Sequence, residues 1–140
     1  MNRKMNVAVI GMAVVLGMGI VRAFEKPSAD YVAAMKGINT ANQSIRAHVT
    51  AKDYAGLEAD AATLKPFAET TAKYWNDKKV EDAMKMSADF AKAVADLGTA
   101  AKAKNDDGIA AAQKGIGGSC MGCHTAHRTP RGADGTYEIK

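Results

Sequence analysis

Cysteine is scarce in this chain, with two residues in 140, alongside three prolines, three phenylalanines and a single tryptophan. Two cysteines exclude a disulfide-framed fold, and three scattered prolines exclude a polyproline or low-complexity chain. The apolar–polar alternation that marks half-buried strands is missing as well. An excess of one charge is lacking too, once the first 23 residues are set aside. They carry Arg3, Lys4 and Arg22 and no acid, so 19 basic residues fall to 16 against 15 acidic ones. A nearly neutral chain has no clustered Lys/Arg surface with which to hold nucleic acid or an anionic membrane.

Long apolar runs are confined to one place. Val7 to Val21 carries no charge, follows the basic Arg3 and Lys4, and precedes Val21-Arg22-Ala23, the small-x-small pattern that signal peptidase reads. Gly11, Gly17 and Gly19 interrupt the run, and roughly fifteen residues fall short of the ~20 needed to span a bilayer. Residues 1–23 therefore read as a signal peptide cleaved after Ala23. Residues 24–140 remain as one domain, expected in the periplasm with no membrane attachment after cleavage.

What is present is helical periodicity. Ser28 is an N-cap for a first helix to about Thr50, with Val32, Met35, Ile38, Ile45 and Val49 on one face. Asp53 caps a second helix from Tyr54 to about Lys73, striped by Leu57, Ala61, Leu64 and Phe67 or Ala68. Pro66 lies inside it and predicts a kink or break. Trp75 to Lys79 reads as the longer connection. A third helix from Val80 to Lys104 carries Ala83, Ser87, Phe90, Val94, Leu97 and Ala101 three and four apart, a bundle seam. Asn105 to Asp107 cap a fourth from Gly108 to about Thr129, stopped by Pro130 and a polar, Gly-rich tail. The expectation is an all-α, antiparallel four-helix bundle with up-down-up-down connections.

Both cysteines fall in Cys120-Met121-Gly122-Cys123-His124. Two thiols three apart on a helix can each add to one vinyl group on the same edge of a porphyrin, and the adjacent imidazole can reach the iron. This spacing is the c-type haem attachment signature. The pair thus predicts one covalent haem c on the C-terminal helix, with His124 as an axial ligand. A thioredoxin-like pair belongs at a helix start beside a βαβ unit. A zinc site from Cys120, Cys123, His124 and His127 crowds its ligands along two turns of one helix, where they cannot readily surround a metal tetrahedrally.

Gly115, Gly117 and Gly118 precede the motif, each weakening a helix by up to about 1 kcal/mol relative to Ala. They read either as room for a flat ring or as a frayed helix. Arg128, four residues after His124, shares its face and can lie over the proximal side of the haem, or stand in solvent at a helix end. His127 points away from His124 and reads as a surface histidine. No methionine follows His124, so a second axial ligand must come from upstream. Met35, Met84, Met86 and His48 are the candidates, with ordinary core packing the alternative for each methionine.

Together these features resemble the cytochrome c-prime family of class II c-type cytochromes, over essentially all of the mature region. The resemblance is carried by Cys120-x-x-Cys123-His124-x-x-x-Arg128, by Asp30-Tyr31 through Met35-Lys36, by Trp75 and by Gly118-Ser119-Cys120. Tyr31 stands where the family often has Arg. One branch of the family has an apolar residue at the position of Met35, a five-coordinate high-spin iron, and binds NO or CO. The other has methionine there, a six-coordinate low-spin iron, and transfers electrons. Met35 resembles the second. The resemblance implies a periplasmic electron carrier with His124 and Met35 as axial ligands, redox proteins as partners, and a homodimer through the first two helices. No Ser/His/Asp set or paired carboxylates suggest an enzyme.

Overall fold

A computed structural model describes residues 24–140; the signal-peptide reading of residues 1–23 lies outside the described residues. The described chain forms α1 (Ala29–Ala51), α2 (Tyr54–Lys78), α3 (Glu81–Lys102) and α4 (Asp106–His127). Short polar side chains begin three of them. Ser28 Oγ accepts from Tyr31 N–H, an Asp53 carboxylate oxygen from Gly56 N–H and Asn105 Oδ1 from Gly108 N–H, each satisfying a backbone donor the helix itself leaves unpaired.

The helices form one antiparallel four-helix bundle. α1 packs on α2, α2 on α3 and α3 on α4, whereas α1 and α4 meet only weakly. The core is built from a heptad face of each helix. α1 supplies Ile38, Ala41 and Ile45, with Ala34 also buried, α2 supplies Leu57, Ala61, Leu64 and Ala68, α3 supplies Phe90, Val94, Leu97 and Ala101, and α4 supplies Ile109, Ala112 and Ile116. The α2 and α3 stripes match the expected ones. On α1 the buried face is rotated toward Ala34 and Ala41, leaving Met35 and Val49 half-buried at its border. Alanines seal the core there because small residues let helices approach, a contribution that hydrophobicity alone understates.

One connection and one helix interior differ from expectation. Trp75 to Lys78 belong to α2, and Trp75 is a buried core residue, 1% exposed, rather than part of a loop. The true link is Lys79 and Val80, with Lys79 in the left-handed region at φ 55°. Pro66 does not break α2, which runs through it. Its missing N–H frees the Ala62 carbonyl, and both residues are solvent-exposed, so water can satisfy that acceptor.

A second, smaller cluster closes the end of the bundle where Cys123 lies. It joins Tyr31, Trp75, Ala83 and Ile139, the last from the C-terminal tail. Tyr31 stacks on Tyr74 with ring centroids 4.0 Å apart, and Trp75 meets both rings edge-on at 5.9 and 5.1 Å. Among the described residues no helix is long and apolar enough to cross a membrane.

Candidate functional site

The last three turns of α4 place the motif residues in two directions. Ile109, Ala112, Ile116, Cys120, Cys123 and His127 recur three and four apart, so they share one stripe. Ile109, Ala112, Ile116 and His127 on it are buried, and both cysteines are half-buried at the edges of the two clusters, Cys120 on the larger and Cys123 on the smaller. His124 is one residue further round and lines a groove of about 470 Å³ between α1 and α4. Asn42, Ile45 and Arg46 form the α1 wall, facing Ile116, Gly117, Cys120, His124 and Arg128. This is the seam that the helices leave open.

The glycines before the motif have separate explanations. A Cβ on Gly115 would stand 3.1 Å from the Ala93 Cβ, so this glycine lets α3 approach α4. Gly117 and Gly118 have open space where a side chain would be, and Gly117 lines the groove. α4 continues through all three, so the helix is not frayed there.

Electrostatics set these two thiols apart from a reactive redox pair. Burial raises the pKa of the Cys120 thiol, and burial followed by the neighbouring Cys120 and Asp82 pushes Cys123 up to about 11. Both are neutral thiols at pH 7, whereas reactive cysteine pairs and metal thiolates need a depressed pKa. Among the described residues no three His, Cys, Asp or Glu side chains gather into a metal-holding group. Burial, and then the Arg128 charge, lower the pKa of His124, so its imidazole is neutral with a nitrogen lone pair available to a metal. Two half-buried neutral thiols beside a neutral imidazole, with Cys120, His124 and Gly117 lining an open groove and Cys123 at its end of the bundle, suit a haem c held by Cys120, Cys123 and His124.

Tyr31 and Trp75 flank the same edge. The Tyr31 hydroxyl lies beside the Cys123 sulfur, and burial, followed by that sulfur, raises its pKa well above the ordinary phenol range. Trp75 Nε1, directed toward this hydroxyl, is buried without a hydrogen bond of good geometry, an unmet donor at the border of the site.

The upstream candidates separate. Met35 is half-buried at the junction of the two clusters that Cys120 and Cys123 also border, and is not part of the groove lining. Met84 borders the smaller cluster. Met86 packs on α4, its sulfur 3.5 Å from where a Gly122 Cβ would stand. His48 is occupied elsewhere, with Nδ1 2.7 Å from Asp60 Oδ2 and Nε2 3.7 Å from Asp53 at the α1–α2 turn. His127 corrects the expectation of a surface histidine: it is 7% exposed, its Nε2 is 3.0 Å from Asp82 Oδ2, and its ring lies 5.0 Å from that of Trp75. Its place on the Ile109–Cys123 stripe was visible in the sequence spacing. Arg128 is not a helical residue as its spacing from His124 suggested but the extended C-cap of α4; its N–H donates to His124 O at 3.2 Å, and Arg128 lines the groove beside His124.

No curated protein and no solved structure matches the chain. A family model described as Cytochrome C' matches residues 29–128, which covers all four helices and the whole motif through Arg128. With that match, the bundle and the Cys120-x-x-Cys123-His124 stripe on its last helix, the chain belongs to the cytochrome c' family.

Proposed function

We propose that this chain is a periplasmic c-type cytochrome carrying one haem through Cys120 and Cys123, with His124 and Met35 as axial ligands, and that it transfers electrons. The observation that carries the reading is the open α1–α4 seam, into which α4 turns His124 beside two neutral thiols. Haem attachment would join each sulfur to a vinyl carbon, the thiol proton passing to the neighbouring vinyl carbon with no net oxidation. The bound iron supplies one-electron exchange between its ferric and ferrous states.

The protein's own residues supply the rest. His124, neutral and turned into the groove, offers a nitrogen. Ile45 and Ile116 give the groove an apolar strip between Asn42, Arg46, Gln113 and Arg128, and the polarity and charge around a haem are among the levers on its potential. Met35 stands on α1 at the border shared by both cysteine-bearing clusters, and a thioether there favours ferrous iron.

A second reading has its own support. Met35 is absent from the groove lining, as in a protein whose distal position stays open to NO or CO while Met35 packs the core. An absorption spectrum of the purified protein separates the two. Low-spin bands and slow or absent CO binding are expected; a high-spin spectrum with immediate CO binding would select the gas-binding reading.

A further inference from the structure

Residues 129–140 lie beyond the span matched by the family model, yet they fold back onto the bundle. The chain reverses at Gly132–Gly135. Gly132 N–H donates to Thr136 O at 2.8 Å, Gly135 N–H donates to Gly132 O at 2.9 Å, and Gly135 has φ 79°. Such a turn suits glycine.

The returning limb is held on both sides. Thr129 N–H donates to Glu138 O and Glu138 N–H to Thr129 Oγ1, each at 2.9 Å, while Lys140 N–H donates to His127 O at 3.0 Å. Ile139 is 7% exposed and fills the Tyr31–Trp75–Ala83 cluster. Its backbone exchanges two hydrogen bonds with Glu25, at 2.8 and 3.1 Å.

Tyr137 sits between the turn and these anchors, and its ring lies 4.3 Å from the guanidinium carbon of Arg128. An arginine at a helix end ordinarily samples many rotamers. The ring face offers it a preferred position by cation–π attraction. That position is at the groove beside His124, where among the described residues the lining holds Arg46 and no carboxylate. No protein carboxylate lining the groove therefore neutralises the charge of Arg128.

Resting on the haem reading above, we infer that residues 129–140 are a strap and Tyr137 its positioning residue, holding the Arg128 guanidinium as a fixed positive charge beside His124. A nearby cation favours the iron state with less positive charge, so the strap raises the reduction potential. Because the charge is partly exposed, the effect shrinks as ionic strength rises.

The test is the midpoint potential of the haem-loaded protein in a double-mutant cycle. Tyr137→Leu and Arg128→Gln should each lower it, by a severalfold and at most about tenfold change in the ferrous-to-ferric ratio, the latter being 59 mV for one electron. Tyr137→Phe keeps the ring face and should keep the parent potential. In the Arg128→Gln background, Tyr137→Leu should change nothing further. Tyr137 is 36% exposed, so the variants should fold, and far-UV circular dichroism checks this. A role in stability alone would leave the potential unmoved. An intact haem whose potential ignores Tyr137→Leu, or responds additively in the double variant, overturns the strap alone. Protein that takes up no haem overturns the haem reading and the strap with it.

Discussion

Side chains one position apart on α4 do different work because a helix turns about 100° per residue. Cys123 lies on the core stripe and His124 beside the groove. The five-residue motif was readable directly, since its chemistry depends on residue type and spacing. His127 reads as a surface residue because a polar side chain at a helix end ordinarily meets water; its partners Asp82 and Trp75 lie 45 and 52 residues away in the chain, and only the tertiary fold joins them. Met35 is the position where spacing decides least. Met35→Leu keeps nearly the same volume and should cost less than about 1.5 kcal/mol of stability. It should turn the iron high-spin and allow rapid CO binding, whereas Met84→Leu and Met86→Leu should leave both unchanged. Absorption spectra before and after CO addition check all three.

At the scale of the helix, the α3 seam emerged correctly because Phe90, Val94 and Leu97 are large and regularly spaced. The start of α3 was legible too, with Val80 as its N-cap, but the end of α2 was not, since Asn76, Asp77, Lys78 and Lys79 look like a loop and tertiary packing of Trp75 overrides that composition. Pro66 does not end α2 either. It costs a helix interior about 3 kcal/mol relative to Ala, but Leu64 and Ala68 on either side are buried, and their packing holds the helix through it. Pro66→Ala should therefore restore a donor for the Ala62 carbonyl and stabilise the protein by about 1 to 3 kcal/mol. Guanidinium chloride unfolding at an unchanged m-value checks the gain.

The whole bundle is closed on three seams and open on the fourth, and the tail covers the end where Cys123 lies. No local pattern in residues 129–140 pointed to that cover, because Ile139 is a single apolar residue whose partners are Tyr31, Trp75 and Ala83. Glu25 ties the same end together: its carboxylate accepts from Lys78 Nζ and, at 3.1 Å, from the Tyr74 hydroxyl. The Lys78 hydrogen bond, with Tyr74 adding to it, holds the Glu25 carboxyl below its ordinary value of 4.5. A depressed carboxyl stabilises the fold above its unfolded pKa and loses that contribution as pH falls through its folded value. Amide protection factors at Glu25 and Ile139, taken against the intrinsic rate at each pH, should accordingly fall as the pH drops below 4.5, ahead of those in α2 and α3. In Glu25→Gln these protection factors should be lower already at neutral pH and change little on acidification.

All of this presumes a haem on α4, and the intact mass of the mature protein addresses that directly. Protein made in cells that attach haem c should begin at Phe24, carry the added mass of one haem that survives denaturation and acid extraction, and show no titratable thiol at Cys120 or Cys123. A polypeptide mass without haem, or two free thiols after unfolding, would contradict the assignment.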